Sequence, residues 1–175
     1  MKKLILMAAM MVATLAVNAQ VYVGGSLGFE SVKEHKDADA LSSFSIKPEA
    51  GYNLDENWAV GIQLGFSSID IDEDNSVSTF EVAPYARYTF AKTGIASFFV
   101  DGGIQFISYG SDMKGSTFGI GVRPGIKLAA SKKVDVIAKL GYLGYSKDND
   151  DLGGGSAFGL NVNNTNLEFG VFFNF

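Results

Sequence analysis

From residue 20 onward, apolar and polar side chains alternate along the chain with a period of two. One parity carries Val21, Val23, Leu27 and Phe29, then Phe44, Ile46, Pro48, Ala50 and Tyr52, then Trp58, Val60, Ile62, Leu64 and Phe66. It continues through Phe80, Val82, Pro84, Ala86, Tyr88 and Phe90, and through Phe98, Val100, Gly102, Ile104 and Phe106. Phe118, Ile120, Val122, Pro124, Ile126 and Leu128 follow, then Val134, Val136, Ala138, Leu140 and Tyr142. The last stretch holds Leu167, Phe169, Val171, Phe173 and Phe175. Successive side chains of a strand point to opposite faces, so the pattern predicts eight strands, each with one greasy face. No stretch after Ala19 repeats at helical spacing.

The connections alternate in length. Short turns are expected at Asn53 to Asn57, Ala91 to Ala96 and Ala129 to Lys133, and long polar loops after Phe29, Phe66, Tyr109 and Tyr145. That describes an antiparallel up-and-down meander. An even strand number puts both chain ends on the short-turn side, where the first strand can pair with the eighth and remove both sheet edges. The predicted fold is therefore all-β, an eight-stranded antiparallel up-and-down barrel.

The greasy parity is also ordered along its height. Phe29, Phe44, Phe66, Phe80, Phe106 and Phe118 adjoin the long loops; Tyr52, Trp58, Tyr88, Phe90, Phe98, Phe173 and Phe175 adjoin the short turns; aliphatic residues such as Ile46, Ile62, Val100 and Ile120 lie between. Two aromatic girdles around an aliphatic band are what a transmembrane barrel presents to lipid. The other parity carries Lys47, Arg87, Arg123, Lys127 and Lys139 against Glu49, Glu81, Asp101, Asp135 and Glu168. On the lipid face each of those basic residues would cost about 2–4 kcal/mol near the midplane. Equal numbers of each sign predict a network of paired ions inside. Glycines on the same parity, among them Gly61, Gly103, Gly121, Gly125 and Gly141, make room for it in an interior wide enough only for packed side chains. A plugged lumen is expected, and a soluble barrel with Trp58 and the paired rings inside is excluded by volume.

Composition adds compartment and limits. Met1-Lys2-Lys3, an apolar run to about Val17 and the small residues before Gln20 have the form of a secretory signal peptide over 1–19, leaving 20–175 as one barrel domain. Loss of Lys2 and Lys3 takes the net charge from −5 to −7, which argues against a nucleic-acid partner. The absence of cysteine excludes disulfides and thiol chemistry. Two irregularities remain. Pro48, Pro84 and Pro124 sit inside strands at one shared station, which suggests a bulge or local bend. Phe158, Leu160 and Val162 reverse the parity ahead of the last strand, so that segment is a bulged part of the strand or part of the fourth loop.

A leader, eight girdled strands, the repeated Pro-x-x-x-Tyr of Pro48 to Tyr52 and Pro84 to Tyr88, and a terminal aromatic strand together resemble the small outer-membrane β-barrel proteins of Gram-negative bacteria. These are the OmpA/OmpX type, loosely grouped as a porin family. The resemblance implies an outer-membrane monomer with both termini periplasmic, in contact with lipid and lipopolysaccharide. It also implies that Phe169, Val171, Phe173 and Phe175 are read by the barrel-assembly machinery.

Candidate chemistry is sparse, and no cofactor is expected. Asp70, Asp72, Asp74 and Glu81 have the spacing of a calcium loop without its flanking helices. His35, alone of its kind, could form a lipid-modifying site with Ser67, Ser68 or Asp70. The predicted loops hold most of the acidic residues, which suggests divalent bridging to lipopolysaccharide. The leading expectation is a structural or surface-interaction scaffold with no catalytic residue. A narrow channel or lateral-gate transporter is the alternative, and a lipid-A-modifying enzyme the third reading.

Overall fold

A computed structural model describes residues 20–32, 41–72, 75–111, 115–161 and 167–175. The predicted leader, 1–19, and His35 lie outside the described residues. The strands are β1 (Val21–Val32), β2 (Leu41–Asn53), β3 (Trp58–Asp72), β4 (Asn75–Thr93), β5 (Ala96–Ser111), β6 (Gly115–Ala129), β7 (Val134–Leu140), β8 (Tyr142–Asp148), β9 (Ser156–Asn161) and β10 (Leu167–Asn174). Consecutive strands from β1 to β6 pair antiparallel. Both β7 and β8 pair with β6 as a seventh stave, while β10 on β7 and β9 on β8 make the eighth. β10 then pairs with β1, from Tyr22↔Asn174 to Leu27↔Phe169, and closes an eight-stave barrel.

The greasy parity faces outward. Ile46, Val60, Ile62, Ile104, Ile120 and Val171 are all exposed, and the charged parity is buried inside. Trp58 to Phe66, Phe80 to Tyr88 and Phe98 to Phe106 each run eight positions. At about 3.3 Å per residue and a tilt of about 40°, the two girdles stand about 20 Å apart, close to the height of an apolar membrane band once ring lengths are added. Girdle rings meet across the ladder: Trp58 packs on Tyr88 with centroids 4.8 Å apart, and Phe66 on Phe80 at 5.1 Å. Tyr52 is half-buried and its hydroxyl donates to the Gln20 side chain.

Three expectations are corrected, and one open alternative is settled. The stretch after Phe66 is not a long loop: β3 and β4 stay paired through Asp70↔Ser76 and Asp72↔Asn75. Polar residues dominate there because a hairpin standing above the lipid has water on both faces. The expected irregularity at the prolines holds at Pro124, where β6 passes from Val122↔Leu143 to Gly125↔Lys139 with one extra residue on the facing strand, but Pro48 and Pro84 cause no bulge. Each stands at a gap in the ladder to the following strand, with the same register on either side. Proline removes one donor without adding a residue, so pairing lapses and resumes in phase. The register shift in this region falls instead between Thr89 and Ala91. Tyr142 does not face lipid. Gly141, at φ 63°, adds one residue between β7 and β8, a left-handed geometry that glycine adopts freely. Beyond it Leu143 and Tyr145 face outward and Tyr142 turns in. Finally, β9 belongs to the wall: it pairs with β8 and exposes Phe158 and Leu160.

Candidate functional site

The lumen is built from the inward residues of these strands. Arg87 on β4 is the registered partner of Asp101 on β5. Its Nε donates to Asp101 Oδ1 at 2.6 Å and its Nη2 to Oδ2 at 2.8 Å, a two-pronged pair that fixes the guanidinium plane. The same Nη2 reaches Glu49 Oε1 at 3.1 Å. The cation lies 4.1 Å from the centroid of the Phe99 ring, and that ring stands over Gly125, where a Cβ would sit 2.7 Å from Phe99 Cε2. Lys139 completes the tier, 2.6 Å from Glu49 and 3.5 Å from Asp101. Tyr85 donates to Glu49, and its hydroxyl is hydrogen-bonded to that of Tyr22 at 2.6 Å. Two cations and two anions cancel. That is the condition under which charges can be held out of water, since an unpaired one costs several kcal/mol by order of magnitude.

A second neutral set adjoins the first. Lys47 pairs with Glu168 and, at 3.7 Å, with Glu81; Arg123 Nη1 reaches Glu168 at 3.2 Å. The Gln63 amide joins the two sets, donating to Glu49 at 3.3 Å and to Glu168 at 3.2 Å. At the turn end Lys127 lies 3.7 Å from Asp135, which also accepts from Asn174 at 2.9 Å. The structure thus brings Lys47, Glu49, Glu81, Arg87, Asp101, Arg123, Lys127, Asp135, Lys139 and Glu168 together on the inner face in eight ion pairs.

Sequence reasoning missed the floor beneath these ions. Tyr22, Ala59, Phe99, Ile137 and Phe172 form a buried apolar cluster near the short turns. They are large or apolar residues on the charged parity, and their gathering at one end was the signal available. Two cavities flank the Arg87 tier. One of about 40 Å³ touches Gln63, Tyr85, Arg123 and Tyr142. The other, about 80 Å³, opens at the turn end among Asn53, Glu56, Lys92, Lys127 and Asn174. No lining residue is common to both.

Of the residues with the calcium-loop spacing, Asp70 and Asp72 lie in the β3–β4 ladder, Glu81 faces inward against Lys47, and Asp74 lies outside the described residues. Among the described residues no cluster of metal-ligating side chains occurs. Ser67 is hydrogen-bonded to Thr79. At the turn end, Asp55 accepts from the backbone N–H groups of Asn57 at 2.7 Å and Trp58 at 2.8 Å, which holds its carboxyl below the usual carboxylate range. On the outer face, Phe169, Val171 and Phe173 of the last strand and Phe175 just after it are all exposed, as are Trp58, Tyr88 and Phe98.

Comparison with solved structures gives the same architecture. The crystal structure of Neisserial surface protein A is similar with a TM-score of 0.53 at 15% identity, over 90% of this chain and 98% of that one. The solution structure of outer membrane protein W of E. coli is similar at 0.50 and 11% identity, over 89% and 97%. At these identities the likeness concerns the fold. Comparison with curated proteins yields no match. The family model of the outer membrane protein beta-barrel domain matches residues 4–175. An outward apolar band, an ion-filled interior and a match along nearly the whole chain agree, and the chain belongs to that outer membrane β-barrel family.

Proposed function

We propose that this outer-membrane barrel is a non-catalytic scaffold: a rigid, lipid-embedded wall with a closed lumen that presents acidic hairpins to the cell exterior. The Arg87 tier carries this reading. Four charged side chains, each less than 8% exposed, span the interior between the two cavities, with the apolar cluster beside them. In planar bilayers the purified barrel is expected to give no reproducible open state. A stable conductance step would replace the scaffold reading with that of a narrow channel.

The reading extends to topology and partners. A cleaved leader over 1–19 and periplasmic termini fit the placement of Gln20 and Phe175 at the short-turn end, where Asn53 N–H donates to Gln20 O and Phe175 N–H to Val21 O. The hairpins at the other end would meet lipopolysaccharide, and the protein would act as a monomer. The outward Phe173 and Phe175 would serve the barrel-assembly machinery. Phe175→Ser should then lower assembly in cells while leaving spontaneous refolding into vesicles unchanged. Equal loss in both would make the residue a packing element only.

A further inference from the structure

The 40 Å³ cavity in the upper lumen has an unusual lining. Arg123, Tyr142, Gln63 and Gln105 reach it from the inside, and Pro84 and Ile104 border it at the wall. Two buried polar atoms of this lining, Arg123 Nε and the Tyr142 hydroxyl, have no hydrogen-bond partner among the described residues. Neither placement is accidental. Gly141 turns Tyr142 inward, and its ring rests over Gly121 and Gly144, where a Cβ would lie 2.6 Å from Tyr142 Cζ in both cases. The Arg123 guanidinium lies 5.9 Å from the centroid of that ring and, among the described residues, spends only Nη1 on protein acceptors, Glu168 at 3.2 Å and Gln63 at 3.4 Å. The wall supplies a third need. The β4–β5 ladder lapses between Val82↔Phe106 and Tyr85↔Gly103, at Pro84, which has no N–H to give.

We propose that this cavity is a buried hydration site, holding water hydrogen-bonded to Arg123 Nε–H, the Tyr142 hydroxyl and the backbone freed at Pro84. A buried water needs about 10–15 Å³ and two to four polar partners, so 40 Å³ accommodates a small cluster. A barrel wall surrounded by hydrocarbon has no bulk water to satisfy such groups, and a buried donor left unpaired is costly. The Nε–H requires an acceptor, for which a small anion is the rival. Charge decides against it. Lys47 and Arg123 with Glu81 and Glu168, and Arg87 and Lys139 with Glu49 and Asp101, are each already neutral. An added anion would stand uncompensated in a low-dielectric interior. Water also distinguishes the two arginines: Arg87 is clamped by carboxylates, and Arg123 can exchange partners through solvent.

The test is a water-to-protein cross-relaxation experiment by NMR on the full folded barrel in lipid nanodiscs with labelled arginine. A cross-peak to water is expected at Arg123 Hε, and Tyr142→Phe should weaken it several-fold. Absence of the Arg123 peak in the unaltered protein, or its persistence at full strength in Tyr142→Phe, overturns the proposal. A parallel bromide soak of crystals is expected to show no anomalous peak beside Arg123. A peak there would make the site an anion site and refute hydration.

Discussion

Replacing Arg87 by methionine removes the cation at the centre of the lumen and leaves Asp101 and Glu49 behind. Breaking one partner out of a buried ion pair costs about 3–5 kcal/mol, because the remaining charge is uncompensated. Here two carboxylates lose three hydrogen bonds, at 2.6, 2.8 and 3.1 Å. Lys139 stays within 2.6 Å of one and 3.5 Å of the other, which offsets part of the loss. The expected penalty is therefore at the lower end, about 3 kcal/mol, or roughly a hundredfold in the folding equilibrium at about 1.4 kcal/mol per factor of ten. Urea titration of the barrel in lipid vesicles, read by the heat-dependent mobility of the folded band on gels, measures it. Arg87→Met combined with Asp101→Leu should cost less than Arg87→Met alone, since Glu49 keeps Lys139 and Tyr85. If the single variant stays within about 0.5 kcal/mol of the unaltered protein, or the two substitutions add, the tier is not the coupled neutral set described.

Ile62→Arg places a charge on the outer face, four residues from each girdle, and should cost about 2–4 kcal/mol in the same titration. Tolerance of Ile62→Arg with no measurable loss would show that this face does not meet lipid. Asp55 offers a pH test. Its folded-state pKa is lowered, so its contribution is present above the unfolded value of about 3.9 and is lost as pH falls through the folded value. Asp55→Asn should lower stability slightly at neutral pH, leave it nearly unchanged well below about pH 4 and so flatten the acid limb of the stability profile; an unaltered acid limb would show that the turn carries no such linkage.

The wall was legible because its two faces meet different surroundings. Ile62 next to Gln63, or Val100 next to Asp101, makes sense only if the first touches lipid and the second does not. Legibility ended where that contrast ends. Asp70 and Asp72 read as loop residues because a hairpin in water carries no alternation, although β3 and β4 continue to pair there. Tyr142 read as outward because one left-handed glycine, Gly141, reverses the side chains of β8, and parity alone does not register an added residue. The inward parity showed which side chains carry ions but not their partners. Lys47 meets Glu168 and Lys139 meets Glu49 across the closed barrel, between positions far apart in the chain. The apolar floor was visible only as exceptions, Phe99, Ile137 and Phe172, whose shared level emerges from the strand register.

The orientation of the wall rests on one residue that needs no substitution. Trp58 is the only tryptophan, it lies in the turn-side girdle, and it is 45% exposed on the outer face. In vesicles of lipids brominated at defined depths, its fluorescence should be quenched most by bromine near the glycerol backbone and less by bromine at the chain ends. Aqueous acrylamide should have little effect. Strong acrylamide quenching with indifference to brominated lipid would show that Trp58 faces water, and the outward apolar band would have been assigned to the wrong solvent.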